Sequence, residues 1–212
     1  MPGVLDTLGD LGLVPVVKIE RSEDAVNLGG ALLAGGLPCA EITFRTEAAE
    51  EAIRQISSSL RDVIVGAGTV LSVDQANRAV SAGAKFIVSP GFNQKVVDWC
   101  LENGVPVTPG VLTPTEIEMA LDRGLNILKF FPAEAMGGIA TLKAIGAPYG
   151  EVKFIPTGGI NQGNFADYLA QPNVHCCGGS WLVKADLISD GNFDEITRLT
   201  REAVAVVRRV RG

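Results

Sequence analysis

The sequence predicts an α/β fold: a single (β/α)8 TIM barrel with an extra N-terminal helix, all of 1–212 forming one domain. Three observations carry this. Short runs rich in Val and Ile alternate with longer segments of helical period, the pattern of βα units feeding a parallel sheet. Eight such runs occur along the chain. Glycines stand just ahead of several of them, at Gly36, Gly83, Gly104 and Gly124, where a helix ends in a left-handed turn before the chain re-enters the sheet. The last three are 21 and 20 residues apart, a regular repeat that fits a compact barrel better than a doubly wound sheet.

Taken in order, Leu5, Leu8 and Leu11 share one helical face within the first dozen residues and predict a helix that covers an end of the barrel. The strands are expected at 13–19, 39–44, 63–68, 86–89, 105–109, 127–130, 152–156 and 174–178, each apolar and bounded by turn residues. Helices are expected between them, among others at 22–34, 47–58, 72–82, 94–102, 115–122 and 164–170. No linker, low-complexity segment or charge run interrupts the series.

Composition narrows the function. With 47% hydrophobic and 20% charged residues the chain is globular, and 212 residues suffice for a sizeable core. The net charge of −6, with no Lys and Arg cluster before Arg208, Arg209 and Arg211, argues against nucleic acid as a partner. That basic tail reads as a solvated helix face. No apolar run approaches the roughly 20 residues that span a bilayer, and no basic region precedes an apolar stretch at the N-terminus, so no membrane partner and a cytoplasmic location are expected. The four cysteines, at 39, 100, 176 and 177, include no Cys-x-x-Cys pair, and His175 is the single histidine, so no metal site is expected. Cys176 and Cys177 read as buried small hydrophobes and His175 as a packed or hydrogen-bonded side chain.

In a barrel of this kind the reacting groups sit at the carboxyl ends of the strands and in the loops that follow. Few polar residues qualify. Lys129 lies between bulky apolar neighbours in Ile127-Leu128-Lys129-Phe130-Phe131, where a charged ammonium is costly and a neutral amine can attack a ketone to form a Schiff base. A structural ion pair or a phosphate contact is the plainer alternative for such a lysine. Of the seven lysines, only Lys18 and Lys129 lie near strand carboxyl ends. On the second strand, period two puts Glu41, Thr43 and Arg45 on one face, an unusual choice for a barrel interior. The carboxylate can shuttle protons and the guanidinium can hold a substrate carboxylate by two prongs, although a Glu41–Arg45 pair filling the barrel mouth would explain the same face. Two glycine-rich loops, Thr157-Gly158-Gly159 after the seventh strand and Gly178-Gly179-Ser180 after the eighth, stand where such barrels commonly bind phosphate through exposed backbone amides.

Six motifs occur in order: Glu41-Ile42-Thr43-Phe44-Arg45-Thr46, Gly66-Ala67-Gly68-Thr69, Ser89-Pro90-Gly91, Lys129-Phe130-Phe131-Pro132-Ala133-Glu134, Pro156-Thr157-Gly158-Gly159 and Gly178-Gly179-Ser180-Trp181. With them the chain resembles the 2-dehydro-3-deoxy-phosphogluconate (KDPG) aldolase / 4-hydroxy-2-oxoglutarate aldolase family, from about Leu13 to the C-terminal helix. The resemblance implies a class I aldolase that splits 2-dehydro-3-deoxy-6-phosphogluconate into pyruvate and glyceraldehyde 3-phosphate, with 4-hydroxy-2-oxoglutarate as a second substrate in many members. It implies a homotrimer with no metal and no other cofactor. By motif, Lys129 resembles the Schiff-base lysine, Glu41 the general acid/base, and Arg45 with Thr69 the groups that bind the pyruvate carboxylate. Pro90 and Phe131 resemble the walls around the pyruvyl methyl; Thr157, Gly158, Gly159, Gly179 and Ser180 resemble the phosphate site, with Lys18 as a cationic addition. Two other readings fit the residues alone: a phosphate-binding barrel isomerase or synthase that forms no imine, and a non-catalytic sugar-phosphate sensor. The C4 configuration of the substrate stays open at this level.

Overall fold

The computed structural model describes residues 3–212. Every strand pairing in it is parallel. The strands are β1 (Leu13–Val17), β2 (Cys39–Thr43), β3 (Ile64–Gly68), β4 (Ile87–Val88), β5 (Val107–Thr108), β6 (Gly110–Val111), β7 (Ile127–Phe130), β8 (Lys153–Pro156) and β9 (Cys177–Gly179). They form a curled six-stranded sheet in the order β5-β4-β3-β2-β1-β9 and a three-stranded sheet in the order β6-β7-β8. The two sheets adjoin twice. Only Pro109 separates β5 from β6, and two isolated parallel bridges, Phe154 with Val174 and Thr157 with Gly178, join β8 to the last strand.

The expected fifth strand at 105–109 is thus displaced and divided. Proline has no N–H for the ladder, so pairing with β4 stops at Thr108 and pairing with β7 begins at Gly110. The Pro109 carbonyl still accepts from the Lys129 amide at 2.9 Å. The expected last strand at 174–178 pairs regularly only over Cys177–Gly179, with Val174 reduced to a bridge.

The helices are α1 (Val4–Leu11), α2 (Ala25–Ala34), α3 (Ala49–Ser59), α4 (Val73–Ser81), α5 (Gln94–Glu102), α6 (Pro114–Leu121), α7 (Gly138–Gly146), α8 (Phe165–Leu169), α9 (Ala185–Ser189) and α10 (Phe193–Arg211). Their starts follow local chemistry. Thr113 caps α6 with Pro114 in the first turn, and the Glu116 carboxylate returns to the Thr113 amide at 2.9 Å, a complete capping box. Ser72 and Asn93 cap α4 and α5 through their side-chain oxygens alone, which accept from the Gln75 amide and from the Lys95 and Val96 amides. Leu8 of α1 is buried, and Leu5 and Leu11 pack at half-buried positions beside it. One buried cluster runs through sheet and helices, including Leu13, Ile42, Leu128 and Phe154, and each such side chain contributes about 1.5–3 kcal/mol by leaving water.

The four cysteines are free and buried. Burial pushes the Cys176 thiol up to about 12, so it stays a neutral apolar group at physiological pH. His175 is hydrogen-bonded through Nε2 to the Leu5 carbonyl oxygen at 2.8 Å. The basic C-terminus departs from the solvated face expected of it at one residue. The Arg211 guanidinium donates to the carbonyl oxygens of Gly9, His175 and Val174 at 2.9, 2.7 and 2.8 Å, because the last turn of α10 ends beside the C-terminal end of α1 and the start of the last strand.

Candidate active site

At the carboxyl ends of the strands a cleft of about 410 Å³ opens, lined by Lys18, Arg45, Phe131, Ser180 and Lys184 among others, and by the two glycine turns. Its floor follows from strand periodicity. Thr43 lines the cleft and Glu41 lies two residues deeper on the same face of β2; Phe131 lines it and Lys129 lies two residues deeper along β7. Both deeper residues are buried, Lys129 5% and Glu41 4% exposed.

The lysine Nζ stands 3.6 Å from Glu41 Oε1 and 5.1 Å from the centre of the Phe131 ring. Of the two explanations for the charged face of β2, a Glu41–Arg45 pair is not the one formed; the ionic partner of Glu41 is Lys129, while Arg45 is exposed in the cleft. The Oε1 atom has no hydrogen-bond partner among the described residues. A buried carboxylate oxygen left in that state is costly, and its one charged neighbour is too far away for a hydrogen bond of normal length.

Gly68 makes this arrangement possible. A Cβ at that position would stand 2.0 Å from Glu41 Oε1 and 2.6 Å from its Cδ. The next residue, Thr69, has φ +55, the single positive φ of a non-glycine residue among those described. A β-branched residue there is strained by about 1–3 kcal/mol, a cost usually met where a turn has a role to play. Thr43, expected on the working face, spends its hydroxyl on the Val17 carbonyl oxygen at 2.8 Å and so braces β2 against β1.

The glycine turns are arranged to leave their amides free. Gly158 and Gly159 have φ +95 and +84. Among the described residues, the amides of Gly158, Gly159 and Ser180 donate no hydrogen bond. On the opposite side of the turn, the Gly159 carbonyl oxygen accepts from the side chains of Asn161 and Asn164 at 3.0 and 3.1 Å. Unpaired N–H groups on a wall that also carries Lys18, Arg45 and Lys184 are groups able to accept an anion.

Of the expected residues, Lys18, Arg45, Phe131, Thr157, Gly158, Gly159, Gly179 and Ser180 line one cleft over the Lys129–Glu41 pair. Thr69 and Pro90, half-buried beyond the ends of β3 and β4, are not part of that lining. Lys18 is tied to Glu20 at 2.5 Å, which reduces the charge it presents. Lys184, which the sequence reading did not count among the lysines near strand carboxyl ends, is a second lysine of the cleft; its place four residues after Ser180, within the loop that follows β9, was the available signal.

Comparison with known proteins agrees with the geometry. Residues 4–199 match the aldolase family described as KDPG and KHG aldolase. The 2-dehydro-3-deoxy-phosphogluconate aldolase of Treponema pallidum (strain Nichols) is 50% identical over 204 residues, 96% of this chain and 97% of the relative. The KHG/KDPG aldolase of Escherichia coli (strain K12) is 47% identical over 192 residues, 91% of this chain and 90% of the relative. The crystal structure of KDPG aldolase from Legionella pneumophila, with pyruvate captured at low pH as a covalent carbinolamine intermediate, superposes with a TM-score of 0.91 at 41% identity, covering 94% of this chain and 97% of that one. A buried amine and carboxylate beneath a wall of unpaired amides, repeated similarity over nearly the full chain, and a match spanning 4–199 lead to one conclusion: the chain belongs to the KDPG and KHG aldolase family.

Proposed function

We propose that this protein is a class I aldolase that cleaves 2-dehydro-3-deoxy-6-phosphogluconate to pyruvate and glyceraldehyde 3-phosphate, on a single-domain (β/α)8 barrel formed by the described residues. The observation that carries it is the buried Lys129 amine 3.6 Å from a carboxylate oxygen with no hydrogen-bond partner, under a cleft that offers unpaired amides to an anion. Closure of the barrel is supported by the two bridges between β8 and the last strand and by the continuity of β5 and β6 through Pro109; α1 then covers the end opposite the cleft.

The phosphate docks on the Gly158–Gly159 and Gly179–Ser180 turns beside Thr157, with Lys18 and Lys184 adding positive charge. Arg45, with Thr69, holds the carboxylate, and Pro90 and Phe131 flank the pyruvyl methyl. With both ends fixed, the C2 carbonyl is presented to Lys129. The amine adds to C2, Glu41 protonates the departing hydroxyl, and water leaves to give the protonated imine. Glu41 then takes the C4 hydroxyl proton; the C3–C4 bond breaks, its electron pair moves into the imine, and the aldehyde departs. Protonation of the enamine at C3 and hydrolysis of the imine release pyruvate and restore the amine. The imine is the electron sink, so the scheme calls for no metal or other cofactor.

The Escherichia coli relative's name supports 4-hydroxy-2-oxoglutarate as a second substrate. The homotrimer rests on the family resemblance, and the cytoplasmic location is the expectation drawn from the sequence. Among the described residues no helix is long and apolar enough to cross a membrane.

Trapping with pyruvate and borohydride, followed by peptide mass mapping, tests the scheme. A reduced pyruvyl adduct on Lys129, absent from Lys129→Ala, is expected. No adduct on the folded protein would overturn the imine and leave Lys129 as an acid or an anion contact.

A further inference from the structure

The turn with the free amides is also braced from the lysine loop, through residues that the reaction scheme does not use. After β7 the chain passes Phe131 and Pro132 into a short 3-10 turn, Glu134–Met136, and lies directly against the glycine turn. The amides of Ala133 and Glu134 donate to the carbonyl oxygens of Thr157 and Gly158 at 2.8 and 3.0 Å. A Cβ on Gly158 would stand 3.3 Å from the Phe131 ring and one on Gly159 would stand 2.5 Å from Glu134 Cβ, so the two segments touch backbone to side chain.

The Glu134 carboxylate reaches past this contact to accept a hydrogen bond from the hydroxyl of Tyr168, which is fully buried in α8. A buried phenol needs a partner for its O–H. Here the partner comes from a loop 34 residues earlier in the chain and not from a neighbouring backbone carbonyl. Burial first, and the Glu134 carboxylate second, push the Tyr168 hydroxyl well above its usual range, so it remains a donor at any working pH. Gly138, with φ +60, leaves room for the pair, since a Cβ there would stand 3.0 Å from both Glu134 Oε1 and the Tyr168 hydroxyl oxygen.

We propose that Glu134 and Tyr168 form a positioning latch that fixes the Gly158–Gly159 turn relative to Lys129, so that a substrate held by its phosphate presents its keto carbon to the amine. Glu134 follows the lysine by five residues and Tyr168 follows Gly159 by nine, so the bond ties the loop after the lysine strand to the helix after the anion turn. The latch touches neither reacting atom. It rests on the reading of the turn as the phosphate site.

The test compares wild type with Tyr168→Phe, Glu134→Ala and Glu134→Gln in three measurements: KM for 2-dehydro-3-deoxy-6-phosphogluconate, competitive inhibition by inorganic phosphate, and exchange of the C3 hydrogens of pyruvate in D2O. Exchange needs the imine and not the phosphate turn. Tyr168→Phe and Glu134→Ala should raise KM and the phosphate inhibition constant about tenfold, the worth of one hydrogen bond to a charged group. Exchange should stay within about twofold, and Glu134→Gln, which keeps the acceptor oxygen, should return KM to within about threefold of wild type. Glu134 is an exposed residue, so its variants carry the test should Tyr168→Phe fail to fold. Unchanged KM and phosphate inhibition in the variants would overturn the latch alone, as would a fall in exchange parallel to the rise in KM. Failure of phosphate to compete in wild type would overturn the anion reading and the latch with it.

Discussion

The two ends of the strands treat their polar groups in opposite ways. At the amino ends the chain consumes its own donors and acceptors: Arg211 serves three carbonyl oxygens, His175 bonds Leu5, the Lys153 ammonium bonds the Pro172 carbonyl oxygen at 2.7 Å, and the Cys39 thiol reaches the Leu13 carbonyl oxygen at 3.4 Å. At the carboxyl ends Glu41 Oε1 has no hydrogen-bond partner, the amides of Gly158, Gly159 and Ser180 are unpaired among the described residues, and Thr69 is held at a strained φ. Satisfied groups stabilise the chain by themselves; unsatisfied ones lower its free energy only when something else binds. One end is therefore devoted to stability and the other to a ligand.

The sharpest way to break that division is at Glu41. Glu41→Gln keeps the volume and one acceptor oxygen but removes the proton shuttle, and kcat for cleavage should fall about a thousandfold. Pyruvate release followed with lactate dehydrogenase measures it. If turnover survived within tenfold, the unpartnered oxygen would be a packing accident and Lys129 would need another acid and base. A smaller loss is expected from Gly68→Ala. The new Cβ would occupy the place of the Glu41 carboxylate, which must swing from its position beside Lys129, and a displacement of about 1 Å costs on the order of a hundredfold in kcat. Because the clash is with the end of a movable side chain, the fold should survive, and circular dichroism checks that the loss is one of geometry.

These two residues also mark how far the sequence could be read. Lys129 and Glu41 stand out in one dimension, since a charge in the middle of a buried, mainly apolar strand violates its pattern. Their pairing across the interior was not readable, because Glu41 had an equally plausible partner four residues away in Arg45. The role of Gly68 was hidden for another reason: what a missing Cβ makes room for depends on the register between β2 and β3, where Thr43 lies opposite Gly68. Helix α7 is weakly marked in sequence because Gly138 and Gly146 dilute the helical period, whereas α4 and α6 carry the cap residues Ser72 and Thr113. Nothing in the sequence singles out Tyr168 within its helix, and only the fold brings its hydroxyl to Glu134. The parallel order of the strands was legible from the repeat; the break at Pro109 required knowing that the strand continues on a different partner.

The smallest expected effect lies at the opposite end, and it checks the other half of the comparison. Arg211→Ala removes the donor from three carbonyl oxygens near the amino ends of the strands. Arg211 is exposed, so water can replace part of what is lost, and the cost should be about 1–2 kcal/mol and not the full sum of three charged hydrogen bonds. For a chain of 212 residues that corresponds to a melting temperature lower by about 2–8 °C. Measured well below the transition, kcat and KM should be unchanged, because no cleft residue touches this cluster. A variant that kept its melting temperature but lost turnover would show that the amino ends act on the site, and the separation of stability from binding would have to be given up.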